Sequence, residues 1–158
     1  MPRHVSVKAL ESLYRERYAD FVRVATAITG SESRAIDAVQ EAFARALASI
    51  GSFRGDGPLA AWVWRIVVNT SRDASRAVET PSDGFVRASE LADPDEFGVR
   101  RWIALLPERQ RLTVFLRYYG DCDYRTIAQA LEVEVGTVSA TLSAAHAALR
   151  RMLKEVPS

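Results

Sequence analysis

Apolar positions along this chain recur mostly at three- and four-residue steps, with polar residues filling the gaps. That spacing places the large side chains on one stripe of an α-helix. Between Val7 and Thr29 the stripe is Val7, Leu10, Tyr14, Phe21, Ala25 and Ile28. Gly30 follows, a residue suited to the left-handed position just past a helix C-terminus. Ser31 then offers an N-cap oxygen, with Glu32 in the first turn of the next helix. There the stripe is Ile36, Val39, Phe43, Leu47 and Ile50, and Gly51 closes it. Gly55, Asp56, Gly57 and Pro58 form a turn, and Pro58 suits a first helical position because its missing N–H costs nothing there. The third helix turns Leu59, Val63, Ile66, Thr70 and Ala74 inward. These three helices predict a compact unit over roughly residues 5–76, with Tyr14, Phe21, Phe43 and Trp64 in its core.

From Ala77 to Gly98 the periodicity disappears, leaving two prolines, two glycines and six acids. Such a stretch reads as an irregular tether. A second all-helical unit begins near Val99. Trp102, Ile103 and Leu106 make a short apolar patch, and Pro107 opens a helix with Leu112, Phe115, Leu116 and Tyr119 inward. Gly120 ends that helix. Asp123 is placed to cap a helix from Tyr124 to Leu131, and a four-residue segment, Glu132 to Val135, leads into a long helix from about Gly136 to Leu153. Helix, short turn, helix, with Ile127, Ala128, Leu131, Val138 and Leu142 buried, is the helix-turn-helix pattern. The expected fold is all-α: two small helical domains, 1–76 and 99–158, joined by the acidic linker 77–98.

The polar faces carry the chemistry. Opposite its apolar stripe, the third helix shows Trp62, Arg65, Asn69, Arg72, Asp73 and Arg76. An aromatic, an amide and three arginines on one face suit a nucleic-acid backbone and unstacked bases, although spacing alone favours a solvated helix surface. The formal net charge of +1 hides a division along the chain. Residues 1–76 carry 11 basic and 8 acidic side chains, 77–98 carry 1 and 6, and 99–158 carry 9 and 6. Two mildly basic ends therefore flank an acidic middle.

DAVQEAFARA followed by FRGDGPLAAWVWRIVVN resembles the second conserved region of bacterial sigma factors of the extracytoplasmic-function (ECF) group. LLPERQRLTVFLRYYGDCDYRTIAQALEVEVGTVSATL is similar to the fourth conserved region of the same group. The resemblance covers most of the chain, with both motifs in order. It implies a dissociable subunit that directs RNA polymerase to promoters. By resemblance, Asp37, Gln40, Glu41 and Arg45 dock on the coiled coil of the polymerase clamp. Arg54 in the turn, with Trp62, Arg65, Asn69, Arg72 and Arg76, faces the upstream melted promoter element. Thr137, Ser139, Thr141 and Ser143, with Arg109 and Arg125, form the distal DNA-contacting set. The linker of such proteins threads through the polymerase channel. A separate anti-sigma protein is a further expected partner, since no fused inhibitory domain is visible in the sequence.

The last long helix departs from this pattern. Ser139, Ala140, Thr141, Ser143, Ala144 and Ala145 occupy positions where such helices usually carry Lys and Arg, and after Arg125 the next arginine is Arg150. Phosphate neutralisation supplies much of DNA affinity, and a bidentate arginine–guanine pair is worth about 1–3 kcal/mol of discrimination. Glu132 also stands where the turn of the motif often has glycine. Two alternatives follow: a sigma-like adaptor or decoy with weakened distal readout, and a stand-alone helix-turn-helix repressor. The second leaves the DAVQEAF helix and the GDGPLAAW turn without a role.

Other chemistry is not indicated. There is no glycine-rich phosphate loop with a following lysine, no paired histidine and no cysteine–histidine arrangement, so neither an enzyme nor a cofactor is expected. Cys122 is the single cysteine, and His4 and His146 are the two histidines, which excludes an internal disulfide and disfavours a zinc site. No apolar run approaches a membrane span and no secretory signal is evident, so a cytoplasmic protein is expected.

Overall fold

The computed structural model describes residues 6–78 and 97–155. Seven α-helices occupy them: α1 Val7–Thr29, α2 Glu32–Ser49, α3 Leu59–Val78, α4 Phe97–Ala104, α5 Glu108–Val114, α6 Tyr124–Leu131 and α7 Val135–Lys154. A 3-10 turn, Ile50–Ser52, follows α2, and a π turn, Phe115–Tyr119, continues α5. No strand occurs among the described residues. The acidic stretch at 79–96 lies outside them, while α3 runs through Val78 and α4 starts at Phe97.

Local chemistry sets the helix ends. The Ser6 hydroxyl caps α1 by accepting from the Ala9 N–H, and Gly30 closes it with φ 79° while donating to the Thr26 carbonyl. The Ser31 hydroxyl accepts from the Arg34 N–H and starts α2. α2 runs on into the 3-10 turn rather than stopping at a left-handed glycine; among the turn glycines that follow, it is Gly55 that takes a positive φ, 77°. The Pro58 carbonyl accepts from the N–H groups of Ala61 and Trp62 in the first turn of α3.

Helices α1, α2 and α3 pack on one another as a three-helix unit. Phe21 and Trp64 are fully buried at its centre, 4.5 Å apart between ring centroids. Half-buried Phe43 extends the aromatic cluster edge-on to both Tyr14 and Phe21. The buried side of α2 is built from Ala35, Ala38, Val39, Ala42 and Ala46, whereas Leu47 is 49% exposed and Ile36 and Phe43 are half-buried. The expected stripe is thus rotated. Alanines let neighbouring backbones approach closely, so the large side chains move to the flanks of the contact. Val7, expected inward, is exposed in the first turn of α1.

Helices α5, α6 and α7 form the second unit, with α6–turn–α7 as the helix-turn-helix. Ile127, Ala128, Val138 and Leu142 are buried between its helices and Leu131 is half-buried. The two units do not stand apart. α6 packs along α3, the π turn packs on α1, and one apolar cluster runs from Leu10 and Trp64 through Leu116, Cys122 and Ile127 to Ala145.

Candidate nucleic-acid interface

The turn before α3 holds a recess of about 380 Å³. Phe53 and Trp62 stand in it with ring centroids 5.3 Å apart and planes 49° from parallel. Both rings are half-buried, and the exposed Arg54 and Arg65 flank them. Gly55 needs its left-handed φ for the chain to fold back over Pro58. An aromatic-walled recess beside two guanidiniums can stack an unpaired base and hold its phosphate. Phe53 was not singled out from the sequence; its signal was an aromatic directly beside the turn arginine. Gln129 of α6 closes another side, a residue no local pattern connects to this turn.

Along α3 the outer stripe is as the 3.6-residue period implies: Arg65, Asn69 and Arg76 are exposed and Arg72 is half-buried. Its charges are occupied by the second unit. The Arg65 guanidinium pairs with Glu132 at 2.7 Å. Arg72 donates to the Glu108 carboxylate, and Arg76 stands 3.9 Å from the same group. A recess of about 280 Å³ between Asn69, Arg72, Glu108, Arg109 and Glu132 marks the seam.

The polar face of α2 is separate from this seam. Asp37, Gln40, Glu41 and Arg45 are all exposed. Glu41 and Arg45 pair at 2.8 Å one turn apart, and Arg45 also reaches Asp73 of α3 at 3.8 Å.

The distal set is dispersed. Arg109, Thr137 and Thr141 line one groove of about 470 Å³ between the start of α5 and α7, with Pro107, Gly136, Ala140 and Ala144. Arg125, Ser139 and Ser143 are exposed and lie outside its lining. Asp123 caps α6 by accepting from the Thr126 N–H at 2.8 Å, and that bond holds its carboxyl below the usual carboxylate value. Burial pushes the Cys122 thiol up to about 12, so it is a core group rather than a nucleophile. Glu132 ends α6 with φ 58°, the left-handed conformation that suits glycine. Among the described residues no cluster of three or more His, Cys, Asp and Glu is placed to hold a metal.

Comparison with known proteins matches both units. Residues 13–79 match the family Sigma-70 region 2, and residues 98–155 match the family Sigma-70, region 4. The chain is 32% identical over 136 residues to the ECF RNA polymerase sigma-E factor of Escherichia coli K12, covering 72% of this chain and 70% of that protein. It is 30% identical over 139 residues to the RNA polymerase sigma-H factor of Pseudomonas aeruginosa, covering 75% of this chain and 72% of that one. Among solved structures, CnrH in complex with the cytosolic domain of CnrY aligns over 96% of this chain and 92% of its own, with a TM-score of 0.75 at 22% identity. The sigma factor RpoE in complex with the anti-sigma factor NepR from Bartonella quintana aligns over 96% and 100%, with a TM-score of 0.71 at 21% identity. At those identities the likeness is one of fold.

Proposed function

This chain belongs to the ECF sigma factors and is a transcription initiation factor, and on that premise we propose how its residues divide the work. The exposed face of α2, with Asp37, Gln40, Glu41 and Arg45, docks on core RNA polymerase. The recess at Phe53 and Trp62 takes an unstacked base of the melted promoter element. Arg54 and Arg65, then Asn69, Arg72 and Arg76 along α3, track the adjoining backbone. The observation that carries this reading is the aromatic recess opening onto a line of guanidiniums, which joins base stacking to phosphate neutralisation in one strip. The setting is cytoplasmic, where polymerase works. A separate anti-sigma protein is the expected regulator, since a solved structure of this fold, the sigma factor RpoE with NepR, is a complex of that kind.

The distal unit contributes less to affinity. Its α7 surface presents Thr137, Ser139, Thr141 and Ser143 and no arginine before Arg150, so its contacts to DNA are hydroxyl contacts, helped by Arg109 and Arg125. Neutral hydrogen bonds are worth about 1 kcal/mol each. The test is affinity of the polymerase complex for a cognate promoter across a salt series. Alanine at Arg65, Arg72 or Arg76 is expected to lower affinity and to flatten the slope of log affinity against log salt by about 0.9 for each phosphate no longer neutralised. Alanine at Ser139 with Thr141 is expected to leave the slope unchanged and affinity nearly so. Abolished binding in the hydroxyl variant with normal binding in the arginine variants would transfer the readout to α7.

A further inference from the structure

We propose that Asp73 of α3 is a positioning residue for the polymerase-docking face of α2: together with Thr70 it fixes the Arg45 guanidinium, and Arg45 in turn fixes Glu41. The proposal rests on the reading of that α2 face as the polymerase contact. Asp73 opposes the charge of its own stripe. It follows Arg72 on the outward side of α3, with Arg65, Asn69 and Arg76, and it is exposed. A carboxylate there repels phosphates, so contact with nucleic acid gives it no role. Helix electrostatics give it none either, since it lies well past the first turn of α3, where acids are favoured.

The partner that explains it is on the neighbouring helix. The two terminal nitrogens of Arg45 are divided between α2 and α3. Nη2 donates to Glu41 Oε1 at 2.8 Å, one turn back on α2. Nη1 donates to the Thr70 hydroxyl at 3.4 Å and faces Asp73 Oδ2 at 3.8 Å. Thr70 and Asp73 are three residues apart, so they are neighbours on one side of α3. Thr70 is 1% exposed and gives the guanidinium a fixed seat, while Asp73 holds it from the solvent side. Glu41, Arg45 and Asp73 thus form a chain of alternating charge from the docking face to α3. Exposed ion pairs of this kind add little to fold stability, so bracing the fold does not account for the arrangement. Its consequence is order. A free arginine has many rotamers to lose when a partner immobilises it, and a guanidinium already held in place loses fewer. Glu41 is ordered by the same guanidinium, so two of the four proposed docking side chains depend on one carboxylate of α3.

Titration of core RNA polymerase into the labelled full chain tests this at fixed ionic strength. Asp73→Asn is expected to weaken binding about threefold, the scale of an exposed ion pair. The same substitution in an Arg45→Ala background is expected to change nothing further, because Asp73 acts through Arg45. Asp73→Glu keeps the charge and is expected to retain near-normal affinity. The thermal midpoint of Asp73→Asn is expected to stay within about 2 °C of wild type, which separates positioning from a loss of fold. Unchanged affinity in Asp73→Asn overturns the proposal, and so does an equal loss in the wild-type and Arg45→Ala backgrounds. Gln40→Ala judges the docking face itself. If it weakens binding while Asp73→Asn does not, the positioning role alone falls; if neither weakens binding, the α2 face is not the polymerase contact.

Discussion

Asp123 and Glu132 bracket α6 with backbones of opposite hand. Asp123 is extended, φ −76° and ψ 167°, and its carboxylate accepts the Thr126 N–H that the helix leaves without a partner. The bond favours the charged form and so holds the folded carboxyl below its unfolded value. The stabilisation is therefore complete above the unfolded carboxylate range and is lost as pH falls through the lower, folded value. Asp123→Ala is expected to cost about 1 kcal/mol near neutral pH, with the gap to wild type narrowing in acid. Asp123→Asn, which caps without titrating, is expected to keep most of the stability and to flatten its acid dependence; urea unfolding at a series of pH values measures both. A gap that persists undiminished at low pH would show that the carboxylate's charge is not what the cap uses. Glu132 shows the opposite balance, since its left-handed backbone costs about 1–2 kcal/mol against glycine. The strain is retained where the carboxylate meets Arg65.

Helix α2 packs through its smallest side chains. Its large apolar residues follow a helical period, yet the side that meets α1 and α3 is mostly alanine. Ala35, Ala42 and Ala46 are wholly inaccessible to solvent, while Leu47 is half exposed. Close helix contact makes volume the limiting quantity, so added methylenes cost more there than a deleted apolar group costs on the rim. Ala42→Leu is expected to destabilise by about 1–3 kcal/mol. Leu47→Lys is expected to stay within about 0.5 kcal/mol of wild type. Denaturant midpoints at equal m-value decide between this and the stripe the sequence pattern implies, under which the two effects would be reversed.

Across the whole molecule, the two units share one apolar cluster beside the ion pairs of the seam. Trp64 and Val24 of the first lie against Gly120 of the second, and Leu116, Cys122 and Ile127 are nearly inaccessible. An interface continuous with both cores couples their unfolding, unlike the smaller, more polar contacts that leave domains independent. Native-state hydrogen exchange of the free protein is expected to give the slowest amides of α3 and α6 a common opening free energy. A lower value for α6 alone would mean that the second unit melts separately, with the seam contributing little.

Much of this architecture is legible in the chain itself because it depends on neighbours within a few residues. Periodicity and caps set α1 from Val7 to Thr29, Gly30 as its left-handed end, and α6 with Asp123 before it. The two motifs, in order, named the family. The stripe Arg65, Asn69, Arg72, Arg76 and the exposed face of α2 followed from helical spacing alone. Other features needed the fold. The buried side of α2 depends on how near α1 and α3 approach, a distance no single-helix pattern contains. Phe53 joins Trp62 only when the turn folds back, and Gln129 and Glu132 reach the turn and α3 only once α6 is laid across them. The partners of Arg65 and Arg72, Glu132 and Glu108, lie far along the chain from them. Hydrophobic burial is non-directional, so the sequence states which faces must be covered, and only tertiary packing decides what covers them.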